Sequence, residues 1–71
     1  MYILVTGAAG NVGTFVTRGL RASGHRVRAL DLVDAGDAAD ESLVGDVGDF
    51  DLMRRATEGV DAVIHLGGNP G

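Results

Sequence analysis

Thr6 to Gly13 reads T-G-A-A-G-N-V-G, and this stretch decides the fold. Ahead of it, Tyr2 to Thr6 (Y-I-L-V-T) is a short apolar, β-branched run that stops at glycine. Runs of this kind fit a strand buried on both faces. Behind it, from Asn11 to Ser23, the period changes. Val12, Phe15, Val16 and Leu20 recur at helical spacing, and Gly24 stands where a helix-ending glycine belongs. A glycine triplet carries meaning when it follows a strand and opens a helix. Gly7 permits the tight turn, Gly10 leaves the backbone free to approach a diphosphate, and Gly13 lets the helix pack closely on the strand. The N–H groups of the helix start then face an anion, aided by the helix dipole.

Working outward, Val27 to Asp31 (V-R-A-L-D) predicts a second strand. Leu32 to Glu41 is acidic and rich in Gly and Ala, and reads as a loop or a short irregular helix. Ser42 to Gly45 predicts a third strand. Asp49 is a plausible N-cap for a second helix with Leu52, Met53 and Ala56 as its apolar stripe, closed by Gly59. Asp61 to Leu66 (D-A-V-I-H-L) predicts a fourth strand, followed by the turn-rich G-G-N-P-G. Helices between strands imply an α/β fold with a parallel sheet, here a partial Rossmann fold. In the doubly wound order 3-2-1-4 the two helices lie on opposite faces. Strands 1 and 4 then meet where the strand order reverses, and ligands bind beyond their C-terminal ends. The helical apolar stripes, Phe15 and Met53 among them, are expected in the core. Gly19 weakens its helix, and close helix packing would explain it.

The chain has 71 residues, no cysteine, and a formal net charge of −4. One domain is the most it can hold, and stability is marginal, because a chain this short buries only roughly 60% of its unfolded surface. Cooperative unfolding is expected to be weak unless a ligand is bound. Without cysteine there is no disulfide framework and no thiol nucleophile. The composition, 45% hydrophobic and 23% charged, is that of a globular chain rather than a disordered one. The acidic balance argues against nucleic acid, which demands clustered Lys and Arg. The six basic residues are all arginine, in no run longer than two. No apolar stretch approaches the ~20 residues of a membrane helix, and no signal peptide is visible, so a cytoplasmic protein is expected.

Asp31 is the second element of the site. It ends the second strand near the ~20-residue offset at which an acid binds ribose hydroxyls. A carboxylate there repels a 2′-phosphate, so NAD is favoured and NADP disfavoured. Asp46-Val47 follows the third strand, near the adenine end of the crevice. It serves either the base or a turn leading to Asp49. His25 is expected to complement a helix C-terminus, and His65, in an apolar strand, to be a core histidine. The two share no ligand spacing for a metal. The acidic loop from Asp34 to Glu41 reads as solvated surface. A Walker-type ATP loop is excluded, because it needs a lysine. S-adenosylmethionine and FAD fit less well than NAD: no acid precedes the glycines, and the glycine spacing is wider than G-x-G-x-x-G.

T-G-A-A-G-N-V-G, Asp31, Gly45-Asp46-Val47 and Val63-Ile64-His65-Leu66-Gly67-Gly68 together resemble the extended short-chain dehydrogenase/reductase family, and within it the NAD-dependent epimerase/dehydratase group. The ending H-L-G-G-N-P looks closest to uronate dehydrogenase-like members. The resemblance implies that Gly7, Gly10 and Gly13 form the family's diphosphate loop, with Asn11 and Val12 facing the diphosphate by their backbone. It implies Asp31 as the ribose acid with Leu32 beside the adenine. Asp46 and Val47 would contact the adenine, and Leu66, Gly67 and Gly68 would line the adenosine and diphosphate. Many members carry alanines where this chain has Gly67 and Gly68. The family's chemistry uses a Tyr-x-x-x-Lys pair with a Ser or Thr. This chain has one tyrosine, Tyr2, and no lysine. The expectation is an N-terminal fragment of a longer NAD-dependent oxidoreductase, epimerase or dehydratase acting on a sugar-like small molecule. A homodimer is compatible with the intact protein, and a non-catalytic dinucleotide sensor is the alternative.

Overall fold

A computed structural model describes residues 1–66. Strand β1 (Tyr2–Thr6) leads to helix α1 (Asn11–Ala22), β2 (Arg26–Asp31), a 3₁₀ turn (Gly36–Ala38), β3 (Glu41–Val44), helix α2 (Phe50–Thr57) and β4 (Ala62–His65). All strand pairs are parallel, in the order β3-β2-β1-β4. This is the expected doubly wound half, with strand ends shifted by a residue or so and the irregular helix realised as the 3₁₀ turn.

The strand period of two sorts the core into two layers. Ile3 and Val5 point to one face and pack with Ala8, Val27 and Ala29, covered by Leu20 of α1. Leu4 points to the other face and packs with Leu30 of β2 and Leu52 and Ala56 of α2. Leu4, Val5, Val27 and Leu30 are wholly buried, each stabilising the fold by about 1.5–3 kcal/mol relative to exposure. The helices therefore lie on opposite faces, as the alternation in Y-I-L-V-T requires.

The face α1 turns to the sheet differs from the expected stripe. Gly13 and Thr17 are its buried residues, and Val16 and Leu20 are half-buried. Val12 and Phe15 are exposed, Phe15 by 79%, so neither belongs to the core. The helix rotates because its first turn must bring its smallest residue against the loop, and residues at 13, 16, 17 and 20 share that face. Met53 does pack against the α2-side core. Gly19 is not a packing glycine, because a Cβ built on it meets nothing within 4 Å. Gly19→Ala is accordingly expected to stabilise the fold by about 1 kcal/mol, measured as a shift in urea midpoint at unchanged slope.

Local signals end the helices as expected. Asp49 caps α2, its side chain accepting from Leu52 N–H at 3.1 Å. Gly24 follows α1 at φ +93°. His25 departs from expectation: its ring Nδ1 contacts the Met1 amino nitrogen at 3.0 Å, and its main-chain N–H, not its ring, closes on Leu20 O at the helix end. The acidic loop is less free than its composition suggests. Asp40 accepts from Val27 N–H at 2.8 Å and pairs with Arg21 at 3.2 Å, and Arg21 also donates to Asp37 O at 2.9 Å.

Arg28 closes the C-terminal end of α2, donating to the carbonyls of Ala56 (2.7 Å) and Glu58 (2.9 Å). It also donates to Glu41 at 2.8 Å and to the Tyr2 hydroxyl at 3.1 Å. The Tyr2 hydroxyl and the Arg28 guanidinium hold the Glu41 carboxyl below its ordinary range.

Candidate functional site

The three loop glycines are there for three different reasons. Gly7 has φ +74°, a left-handed turn that favours glycine, and its N–H donates to Leu30 O at 2.9 Å, one residue past the strand register. At Gly13 a Cβ would lie 2.2 Å from Gly7 O and 2.7 Å from the Ala8 backbone. Gly13 is therefore the point where helix and loop touch. Gly10 has neither reason. It is the N-cap of α1 with extended backbone (φ −76°, ψ 175°), and the nearest atom to a Cβ built on it is 4.0 Å away. Nothing among the described residues requires a glycine there, so the space beside it is open to something outside the chain.

Gly10 opens the helix with no side-chain cap and no acid in the first turn. The first-turn N–H groups, from Asn11, Val12 and Gly13, thus keep their partial positive charge for an external anion. Asn11 and Val12 are exposed at this turn.

Beside the loop, a cavity of about 160 Å³ lies among the C-terminal strand ends, lined by Gly7, Asp31, Leu32, Gly45, Asp46, Val47 and His65. Leu32 and Val47 keep apolar side chains in solvent, at 67% and 44% exposure. Two apolar walls with a carboxylate at each side suit a flat heteroaromatic ring. The Asp31 carboxylate accepts from Ala9 N–H (2.9 Å) and Leu32 N–H (2.6 Å). Asp46 folds its own turn, accepting from Gly48 N–H at 2.8 Å, as the turn reading expects, and it also lines the cavity. Leu66 N–H continues the β1–β4 ladder to Thr6 O at 3.0 Å. Gly67 and Gly68 lie outside the described residues. A larger hollow of about 530 Å³ lies against Asn11, Thr14, Phe15, Arg18 and Gly19 of α1. It is open surface along a helix flank and reaches none of the strand ends, so the smaller cavity is the better candidate.

His65 is not a core residue. It is exposed, hydrogen-bonds through Nδ1 to the buried Thr6 hydroxyl, and lines the cavity. Its register opposite Thr6 was the available signal, but that register depends on the strand pairing. Gly45, part of the G-D-V motif but given no role of its own from sequence, lines the cavity, and a Cβ there would meet Leu52 Cδ2 of α2 at 2.3 Å. Among the described residues no three acidic or histidine side chains could hold a metal ion, and no helix is long and apolar enough to cross a membrane.

The model of the NAD-dependent epimerase/dehydratase family matches residues 3–71. The chain belongs to this family. It is 39% identical to a uronate dehydrogenase of Pseudomonas syringae, over 93% of this chain and 25% of that protein. It is 43% identical to an L-arabinose 1-dehydrogenase (NAD(P)(+)) of Haloferax volcanii, over 96% of this chain and 26% of that one. Among solved structures, a short-chain dehydrogenase/reductase superfamily protein of Agrobacterium tumefaciens with bound NAD superposes with a TM-score of 0.89. It shares 42% identity, over 100% of this chain and 21% of that one. The chain therefore spans about a quarter of the length of these relatives.

Proposed function

We propose that this chain is the NAD-binding portion of an NAD-dependent oxidoreductase, epimerase or dehydratase whose substrate is a sugar or sugar acid. The observation that carries the reading is Gly10: an unstrained glycine, uncrowded by the protein, at the uncapped start of a helix. An external group that needs the room of a missing Cβ accounts for it beyond glycine's modest preference at an N-cap, and a diphosphate is the group a helix N-terminus takes. Gly7 and Gly13 shape the loop, and the backbone at Asn11 and Val12 meets the diphosphate. Asp31 accepts from the adenosine ribose hydroxyls, with Leu32 and Val47 flanking the adenine and Asp46 at its edge. By the family resemblance, Leu66 and the two glycines that follow it, Gly67 and Gly68, serve the adenosine and diphosphate. The relatives named uronate and arabinose dehydrogenases support the sugar substrate class. When bound, NAD supplies the hydride acceptor, and the chain's own contribution is to hold and orient it.

The experiment is calorimetric titration of NAD and NADP into the protein carrying this chain, followed by NAD reduction with uronic acids and aldoses. Saturable NAD binding with sugar-linked reduction is expected. Binding without turnover of any sugar would reduce the reading to a dinucleotide-binding module. Asp31→Ala is expected to weaken NAD by about tenfold or more, the cost of losing charged hydrogen bonds, and to narrow the preference over NADP. An unchanged NAD-to-NADP ratio would remove Asp31 from the ribose site.

A further inference from the structure

Asp31 sits at the end of β2, yet one of its two main-chain contacts belongs to another element. Its Oδ2 accepts from Ala9 N–H at 2.9 Å, in the middle of the loop between β1 and α1. Its Oδ1 accepts from its neighbour Leu32 at 2.6 Å. One residue before it, Leu30 O accepts from Gly7 N–H at 2.9 Å. Two consecutive residues of β2 thus hold two alternate amides of the loop. On the far side the loop is fixed by Gly13, which leaves no room for a Cβ against Gly7 and Ala8. Between these anchors lies Gly10, the open position.

We infer that Asp31 is a positioning residue for the diphosphate loop as well as a ribose acceptor, so that one carboxylate couples the two halves of the nucleotide site. The inference rests on the dinucleotide reading above. An ionised carboxylate offers about four acceptor sites on its two oxygens. The two main-chain donors occupy two of them, and two remain for ribose hydroxyls. Ribose binding therefore does not compete with the loop contact. The charge-assisted bond to Ala9 N–H holds the loop in shape before ligand arrives, and that ordering is not charged to binding. Removing the carboxylate leaves Ala9 N–H without its acceptor, and the diphosphate must then order the loop itself.

A ligand without ribose hydroxyls separates the two roles. ADP and 2′,3′-dideoxy-ADP are titrated into the protein carrying this chain and into its Asp31→Ala variant, at high ionic strength to screen the change in charge. An alanine has no side-chain acceptor, so Ala9 N–H loses its partner. If Asp31 also holds the loop, the variant binds dideoxy-ADP roughly tenfold more weakly than the wild type. Ala9 amide exchange in the ligand-free variant is then faster, while the α2 amides keep their protection. Equal or tighter dideoxy-ADP binding by the variant would overturn the inference, since Asp31 would then act only through the ribose. Unchanged Ala9 exchange would overturn it as well. Asp31→Val, which likewise has no acceptor and suits a strand end, is the second variant, with the same expectations, should the alanine form fail to fold. Failure of the dinucleotide reading looks different: the wild type itself takes up neither nucleotide, and the inference falls with it.

Discussion

Gly13→Ala abolishes or severely weakens folding. The added Cβ would lie 2.2 Å from Gly7 O and 2.7 Å from two atoms of Ala8, and all of these are backbone. A flexible side chain could swing away, but these atoms cannot move without opening the junction between β1 and α1. Ala8 is fully buried against the α1-side core, and Gly7 N–H is bonded to Leu30 O. Relief therefore means lifting the first turn of α1 off the sheet. Overpacking commonly costs about 1–3 kcal/mol and sometimes more, and a clash with main chain belongs at or above the top of that range. A domain of this size has only about 0.05–0.15 kcal/mol of stability per residue. The expected result is loss of the cooperative urea transition, or a fall of about 3 kcal/mol or more, in the protein carrying this chain. A stable Gly13→Ala variant would mean that helix and loop do not meet as described.

Gly10→Val gives the opposite pattern. Nothing within the described fold crowds a Cβ at residue 10, and its backbone angles are open to any residue. The fold should lose only the modest advantage of glycine over valine at an N-cap, about 1 kcal/mol. NAD affinity should fall by roughly 100-fold, or about 2.8 kcal/mol, because a branched side chain then stands where the diphosphate approaches the helix start. Paired melts and titrations of the two variants test this directly. One glycine serves the fold and the other serves the ligand, although sequence spacing treats them alike. Retained NAD affinity in Gly10→Val would move the diphosphate elsewhere.

Much of this was legible without coordinates. The apolar run Y-I-L-V-T, the glycine triplet, the helical period behind it and the capping Asp49 are local signals. Each is set by backbone sterics or by hydrogen bonds only a few residues apart. Together with the alternation of strands and helices they determined an α/β fold with parallel strands, for which the doubly wound template supplied the order 3-2-1-4. They also set Asp31 at the strand end beside the glycine loop.

What the sequence left open depended on contacts between distant residues. The hydrophobic period of α1 pointed to Val12 and Phe15 as core, but the close approach of Gly13 to Gly7 and Ala8 turned the helix, and those two side chains face outward. His65 read as a core residue until its register opposite Thr6 brought it to the cavity wall. The bond from Ala9 N–H to Asp31 spans helix α1 and strand β2, 22 residues of chain. Only tertiary structure decided these points, because which face of a helix is buried, and which amide a carboxylate reaches, follow from how elements pack rather than from the period within any one of them.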